Sequence, residues 1–281
     1  MKSRRSLEAR SGLSDVSTLS GKAVWLLFDA TILKEEENIT TSEIKQARID
    51  LAAALRWAAR LGLSEGICNH FSYAVTPNGD QFLVNPLGIH WTEIIASDIV
   101  RADKDRNILE GNRKVEDTAF FIHSRIHLSQ PTARCVLHTH MPYATALCLL
   151  EGGQLQMVAQ NAIRFYKRIT YIKDYHGLAL DGTEGDRLSA QMGSRDVAFL
   201  GAHGVIVTGP TIAKAFDDLY YLERACQLQV IALSTGGKLL QLSERVVQEA
   251  ARGLQEEGQQ ARLHFEAIRR ILNREEPEYA T

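Results

Sequence analysis

The chain has 281 residues, 45% of them hydrophobic and 23% charged, enough for one large domain or two small ones with a substantial core. Lysine and arginine total 32 against 34 aspartates and glutamates, a net charge of -2, so no global basic excess points to nucleic acid or to an anionic membrane. No apolar run reaches the roughly 18–20 residues that cross a bilayer.

The first 20 residues are rich in Ser and Arg and poor in apolar residues. Lys2, Arg4, Arg5 and Arg10 would suit an organelle transit peptide, but Glu8 and Asp15 interrupt that pattern. Residues 1–39 are therefore expected to form a flexible segment. From Thr40 the pattern turns helical. Thr40 and Glu43 have capping-box spacing, and Ile44, Ala47, Leu51, Leu55, Ala58 and Leu61 recur at steps of three and four. Gly62 is a natural stop.

A strand-rich stretch follows. Residues 69–75 alternate in polarity before the turn Pro77–Asn78–Gly79–Asp80, and residues 81–84 read as the next strand, ending in Asn85–Pro86–Leu87–Gly88. Residues 117–128 read as a helix, with Pro131 breaking the chain beyond it. Residues 133–140 read as a strand. Residues 196–207 read as another, broken by Gly201 and Gly204. Pro210 suits the first position of a helix capped by Gly209. Residues 243–272 read as largely helical, weakened by Gly253 and Gly258. Strands and helices mix around one sheet, which predicts an α/β domain over residues 40–235 and a C-terminal helical extension over 236–281. Cys68, Cys135, Cys148 and Cys226 form no C-x-x-C pair and sit among apolar residues, so reduced buried thiols in a cytoplasmic protein are expected.

The most informative segment is His138–Thr139–His140. On a strand, side chains at i and i+2 share a face, so two imidazoles stand side by side, ready to start a Zn2+ or Fe2+ site. The same pattern also describes a purely structural pair. His203 interrupts a run of strand formers between Gly201 and Gly204. It becomes a third ligand only if the two strands are neighbours.

Together, His138–Thr139–His140 and His203–Gly204, 65 residues on from His138, resemble the H-x-H … H-G signature of the class II aldolase/adducin family. The segment Gly66 to Ser72 resembles the family's early glycine–asparagine–serine loop, and Asn85–Pro86–Leu87–Gly88 its T-P-x-G turn. The resemblance spans roughly Thr40 to Leu233. It implies a three-layer α/β/α sandwich around a central, mainly antiparallel sheet, and a homotetramer with active sites between subunits. It also implies a divalent metal on His138, His140 and His203, Zn2+ in the first instance and Fe2+ as the other choice. That ion would polarise a carbonyl–hydroxyl pair and stabilise an enediolate on a small-molecule substrate.

One position departs from the family. Sugar-phosphate aldolases carry an acid 19 residues before the first histidine, and here that residue is Ala119, which exchanges no proton. Glu116 and Asp117 lie just upstream and are read either as replacements or as first-turn acids favoured by the helix dipole. Asp117 and Thr118 stand where phosphate-binding serines would be, and an aspartate there repels phosphate, which favours a carboxylated or aromatic small molecule. Asn69, His70 and Gly88 are candidate substrate-binding residues. Arg164 is a candidate for a substrate carboxylate and Tyr166 for a catalytic acid, unless residues 160–166 form only an interface. His123 and His127 read as structural, with His123 also able to orient a ligand. Three functions remain open at this point: a lyase, an iron-dependent oxidative decarboxylase of an aryl-pyruvate-like acid, and an adducin-like binding module.

Overall fold

The computed structural model describes residues 39–179, 181–256 and 259–281. The expected flexible segment lies, apart from Ile39, outside the described residues. Helix α1 (Thr41–Arg60) starts with the predicted capping box: the Glu43 amide donates to the Thr40 hydroxyl, and the Thr40 amide donates to the Glu43 carboxylate at 2.7 Å. Its alanine- and leucine-rich face, Leu51 to Leu55, is fully buried.

Eight strands follow: β1 (His70–Ala74), β2 (Gln81–Val84), β3 (Val100–Asp103), β4 (Ile108–Glu110), β5 (Cys135–Thr139), β6 (Ile169–Ile172), β7 (Val197–Leu200) and β8 (Gly204–Gly209). They form one sheet in the order β4-β3-β2-β1-β5-β8-β7-β6. Only the β6–β7 pairing is parallel, so the sheet is mainly antiparallel as expected. Between the strands run α2 (Asp117–Ser129), α3 (Pro142–Cys148), α4 (Gln160–Ile163) and α5 (Gly182–Met192). The chain ends in α6 (Ile212–Ser234), α7 (Glu244–Glu256) and α8 (Gln260–Glu275).

Period-two alternation on buried strands builds two cores. Phe71, Leu83, Cys135, Leu137, Phe199, Val205 and Val207 face one side, against α1, α6 and α8. Val136, Ala198, Leu200 and Ile206 face the other, against Ile122 and Ile126 of α2 and Leu188 and Met192 of α5. These are the three layers. In the C-terminal segment, Phe265, Ile268, Leu272 and Tyr279 enter the same core as α1 and α6, and Arg56 donates to Glu276 and Glu278 at 2.7 and 2.9 Å.

The structure corrects four local expectations. Residues 196–207 form a hairpin, not one broken strand. Strands buried on both faces read as one continuous apolar run, which hides the turn. At that turn Gly201 lies so close to the Lys173 carbonyl that a Cβ would sit 2.2 Å from its oxygen, and Ala202 takes a φ of +54°. Helix α6 is capped by Thr211, not Gly209, because its hydroxyl accepts from the Lys214 amide at 3.1 Å, which no glycine can do. The C-terminal helical run divides into α7 and α8. Cys68 is exposed, because it sits in the loop before β1 and not on a strand.

Leu219 of α6 is fully buried in the larger core. Leu219→Ala is expected to cost about 2–5 kcal/mol, read as a lower midpoint of urea unfolding at unchanged slope.

Candidate metal centre

The register of three neighbouring strands gathers the site. His70 on β1 lies opposite His138 on β5, and His138 lies opposite Ile206 on β8. His138 shares its sheet face with Val136, the face covered by α2 and α5. Strand β5 ends at Thr139, so His140 is the first residue beyond it. His203 is the last residue of the hairpin turn before β8. The three rings still meet, with centroids 4.8–5.0 Å apart. Gly204 makes this possible, since a Cβ there would stand 2.7 Å from the His140 ring and 2.6 Å from the Thr139 carbonyl oxygen.

Each of the three offers one nitrogen to a common point, all within 4.8 Å of one another. His138 Nδ1 donates to the Val205 carbonyl at 2.9 Å, and His140 Nδ1 donates to the Glu65 carboxylate. Both bonds place the proton on Nδ1 and leave Nε2 as a lone pair. His140 Nε2 is buried with no partner among the described residues. Burial pushes His138 well below the ordinary imidazole range, and the neighbouring His203 and His140 add to it. Burial and His140 push His203 down to about 4. Two rings held neutral, two Nδ1 atoms engaged by outer partners and an orphaned His140 Nε2 fit a divalent metal.

The rings open on a cavity of about 170 Å³, a size that admits a small molecule. Asn69, His70, Glu116, His123 and Glu184 are among its polar walls, with Ala119, Ile122, Leu178 and Leu188 among its apolar ones. No lysine or arginine among the described residues lines it. Asn69 adopts a φ of +74°, and its side-chain oxygen accepts from the His140 amide at 3.3 Å. Its own carbonyl accepts from Asn85, tying the loop to the turn after β2. Glu116 stands 2.9 Å from His70 Nε2, and Thr118 donates to its other oxygen at 3.1 Å. The His70 bond holds the Glu116 carboxyl below its usual range.

The remaining predicted site residues lie elsewhere in the chain. Asp117 is exposed, paired with Arg106, and not among the residues that line the cavity. The carboxylates that line the cavity are Glu116 and Glu184, the latter held by Arg187 at 2.6 Å. Arg164 is tied to Asp217 at 2.9 Å and stacks on Tyr221. Tyr166 donates to Glu244 on α7. Gly88 lies in its turn, away from the cavity lining. Sequence reasoning did not single out Glu65, which holds His140, or Tyr175 and Glu184, which line the cavity. Each sits in a loop or helix with no spacing relation to the histidines, so no periodic signal marks it.

The comparisons with known proteins agree with this geometry. The sequence profile of the Class II Aldolase and Adducin N-terminal domain matches residues 49–230. The chain belongs to the class II aldolase/adducin family. A Caulobacter vibrioides protein named for aldolase class 2 is 32% identical over 241 residues, covering 84% of this chain and 92% of its own. The 4-hydroxy-3-prenylphenylpyruvate oxygenase/4-hydroxy-3-prenylbenzoate synthase of Streptomyces roseochromogenus is 31% identical, covering 66% and 68%. The crystal structure of an aldolase II superfamily protein from Pseudomonas syringae superposes with a TM-score of 0.78 at 32% identity, covering 86% of this chain and 98% of that one. No helix among the described residues is long and apolar enough to cross a membrane.

Glu65 is the outer partner of His140. Glu65→Gln is expected to weaken zinc binding roughly 10–100-fold by competition titration with a chelator, with the fold unchanged by circular dichroism.

Proposed function

We propose that this protein is a metal-dependent enzyme of the class II aldolase type, acting on a small hydroxy- or oxo-acid or a related carbonyl compound. The observation that carries this reading is the convergence of His138, His140 and His203 on one small cavity, with two of their Nδ1 atoms already engaged. A divalent ion held there supplies Lewis-acid polarisation of a carbonyl or hydroxyl oxygen.

The rest of the chemistry falls to the chain itself. Glu116 stands in for the acid missing at Ala119. It enters as a carboxylate, because His70 and Thr118 each hold one of its oxygens. It is therefore set to accept a proton, and the two bonds fix its direction. The two carboxylates on the cavity wall, Glu116 free of lysine or arginine partners among the described residues and Glu184 held by Arg187, together with a lining that holds no lysine or arginine among those residues, argue against a sugar phosphate bound by this chain alone. Arg164 and Tyr166 act on substrate in this reading only across a subunit boundary, in a homotetramer.

A second reading is an iron-dependent oxidative decarboxylase. Three histidines without a carboxylate ligand also suit Fe2+, and the relative named as an oxygenase of an arylpyruvate supports it. Zinc is the expected metal for the lyase and iron for the oxygenase.

Elemental analysis of protein purified without added metal or chelator is expected to give near-stoichiometric metal, abolished in His203→Ala. No metal in the wild-type protein, even after soaking with Zn2+ or Fe2+, would leave an adducin-like binding module instead. Once turnover is found, Glu116→Gln is expected to lower kcat at least about 100-fold at unchanged metal content, while Asp117→Asn leaves it within about twofold.

A further inference from the structure

Behind the metal ligands lies a second chain of polar groups, buried between β1 and α2. His123 and His127 are four residues apart on α2, so they share one helix face, and Ala119 lies one turn before them on that same face. Ser72 on β1 stands between the two rings, its hydroxyl 2.7 Å from His123 Nδ1 and 2.8 Å from His127 Nε2. His127 Nδ1 lies 3.0 Å from the Ala133 carbonyl. All three side chains are at most 2% exposed.

The proton positions in this chain follow from one end. A carbonyl only accepts, so His127 carries its proton on Nδ1. Burial pushes His127 down to about 4, so its ring is neutral and its Nε2 is bare. The Ser72 hydroxyl therefore donates to His127, and its oxygen accepts from His123 Nδ1–H. His123 is driven lower still by burial and stays neutral, which leaves its Nε2 without a proton. That nitrogen is buried, has no partner among the described residues, and belongs to a ring that lines the cavity. It is not part of the three-histidine cluster. A bare buried acceptor on a cavity wall is satisfied only by a donor from within the cavity.

We infer that His123 Nε2 is the acceptor for a hydroxyl of the substrate, with Ser72 and His127 as positioning residues that fix its tautomer. The site is thereby set for small molecules that carry an O–H donor beside the group bound at the metal, a hydroxy acid before its deoxy counterpart. This rests on the metal-centre reading for the placement of the substrate, but the tautomer itself does not need metal. A ring so reluctant to take a proton serves as an acceptor of a hydrogen bond and not as the carrier of a proton. That task stays with Glu116.

The test uses full-length protein labelled with 15N-histidine, and lactate and propionate as a pair differing by one hydroxyl. In metal-free protein, His123 Nε2 is expected at an unprotonated nitrogen shift and Nδ1 at a protonated one. Ser72→Ala is expected to mix the two tautomers, a change that a merely structural role for Ser72 would not produce. In zinc-loaded protein, lactate is expected to bind roughly three- to tenfold more tightly than propionate and to move the His123 Nε2 resonance. His123→Phe is expected to erase that preference at unchanged zinc content. A protonated Nε2 in the wild-type protein overturns the inference, as does binding of neither acid. So does equal affinity for the two, or a preference that survives in His123→Phe. Absence of zinc binding in the wild type, with Nε2 still bare, would instead count against the metal-centre reading.

Discussion

The pairing of β5 with its two neighbours is the constraint on which the rest depends. With Leu137 opposite Val207 and Phe71, the odd residues of β5 enter the larger core and the even ones face α2 and α5. A slip of one residue would turn His138 into the apolar core and Leu137 toward the cavity. The burial of Leu137, Val205 and Val207 therefore does more than stabilise the sheet. It aims His138 at α2, sets His70 beside it, and brings the β7–β8 turn with His203 to the end of β5.

Gathering this many imidazoles in one buried corner sets its electrostatics. Five histidines, His70, His123, His138, His140 and His203, line a single cavity. Charged imidazoles there would repel one another and lose their solvation, so burial holds His123, His138 and His203 in the neutral form. Neutral rings have two tautomers, and only one of them presents a lone pair at the useful nitrogen. The fold resolves that choice with backbone and side-chain acceptors: the Val205 carbonyl for His138, the Glu65 carboxylate for His140, and the Ser72–His127–Ala133 chain for His123. These outer contacts determine what the inner ring can bind.

The start of α2 sends two adjacent acids in different directions. Ala119 and the carboxylate of Glu116, just before the helix, both line the cavity. Glu116 is fixed by His70 on β1 and by Thr118 in the first turn of α2. Asp117, the adjacent acid and the first helical residue, is paired with Arg106, while Glu116 is the extended residue that precedes the helix.

The sequence by itself determined the elements that carry strong periodic or capping signals. Helix α1 with its Thr40–Glu43 box, the strand holding His138, and α2 were legible because their patterns are local. The spacing of the histidines and glycines was enough to indicate the family. Three-dimensional packing decided what local pattern does not carry. The turn between β7 and β8 was hidden, because two doubly buried strands look like one apolar run. Arg164 and Tyr166 are engaged instead by Asp217 and Glu244. Glu65, Glu184 and the Ser72–His127 relay reach the site over long sequence separations, and no periodicity links residues that only a sheet register brings together.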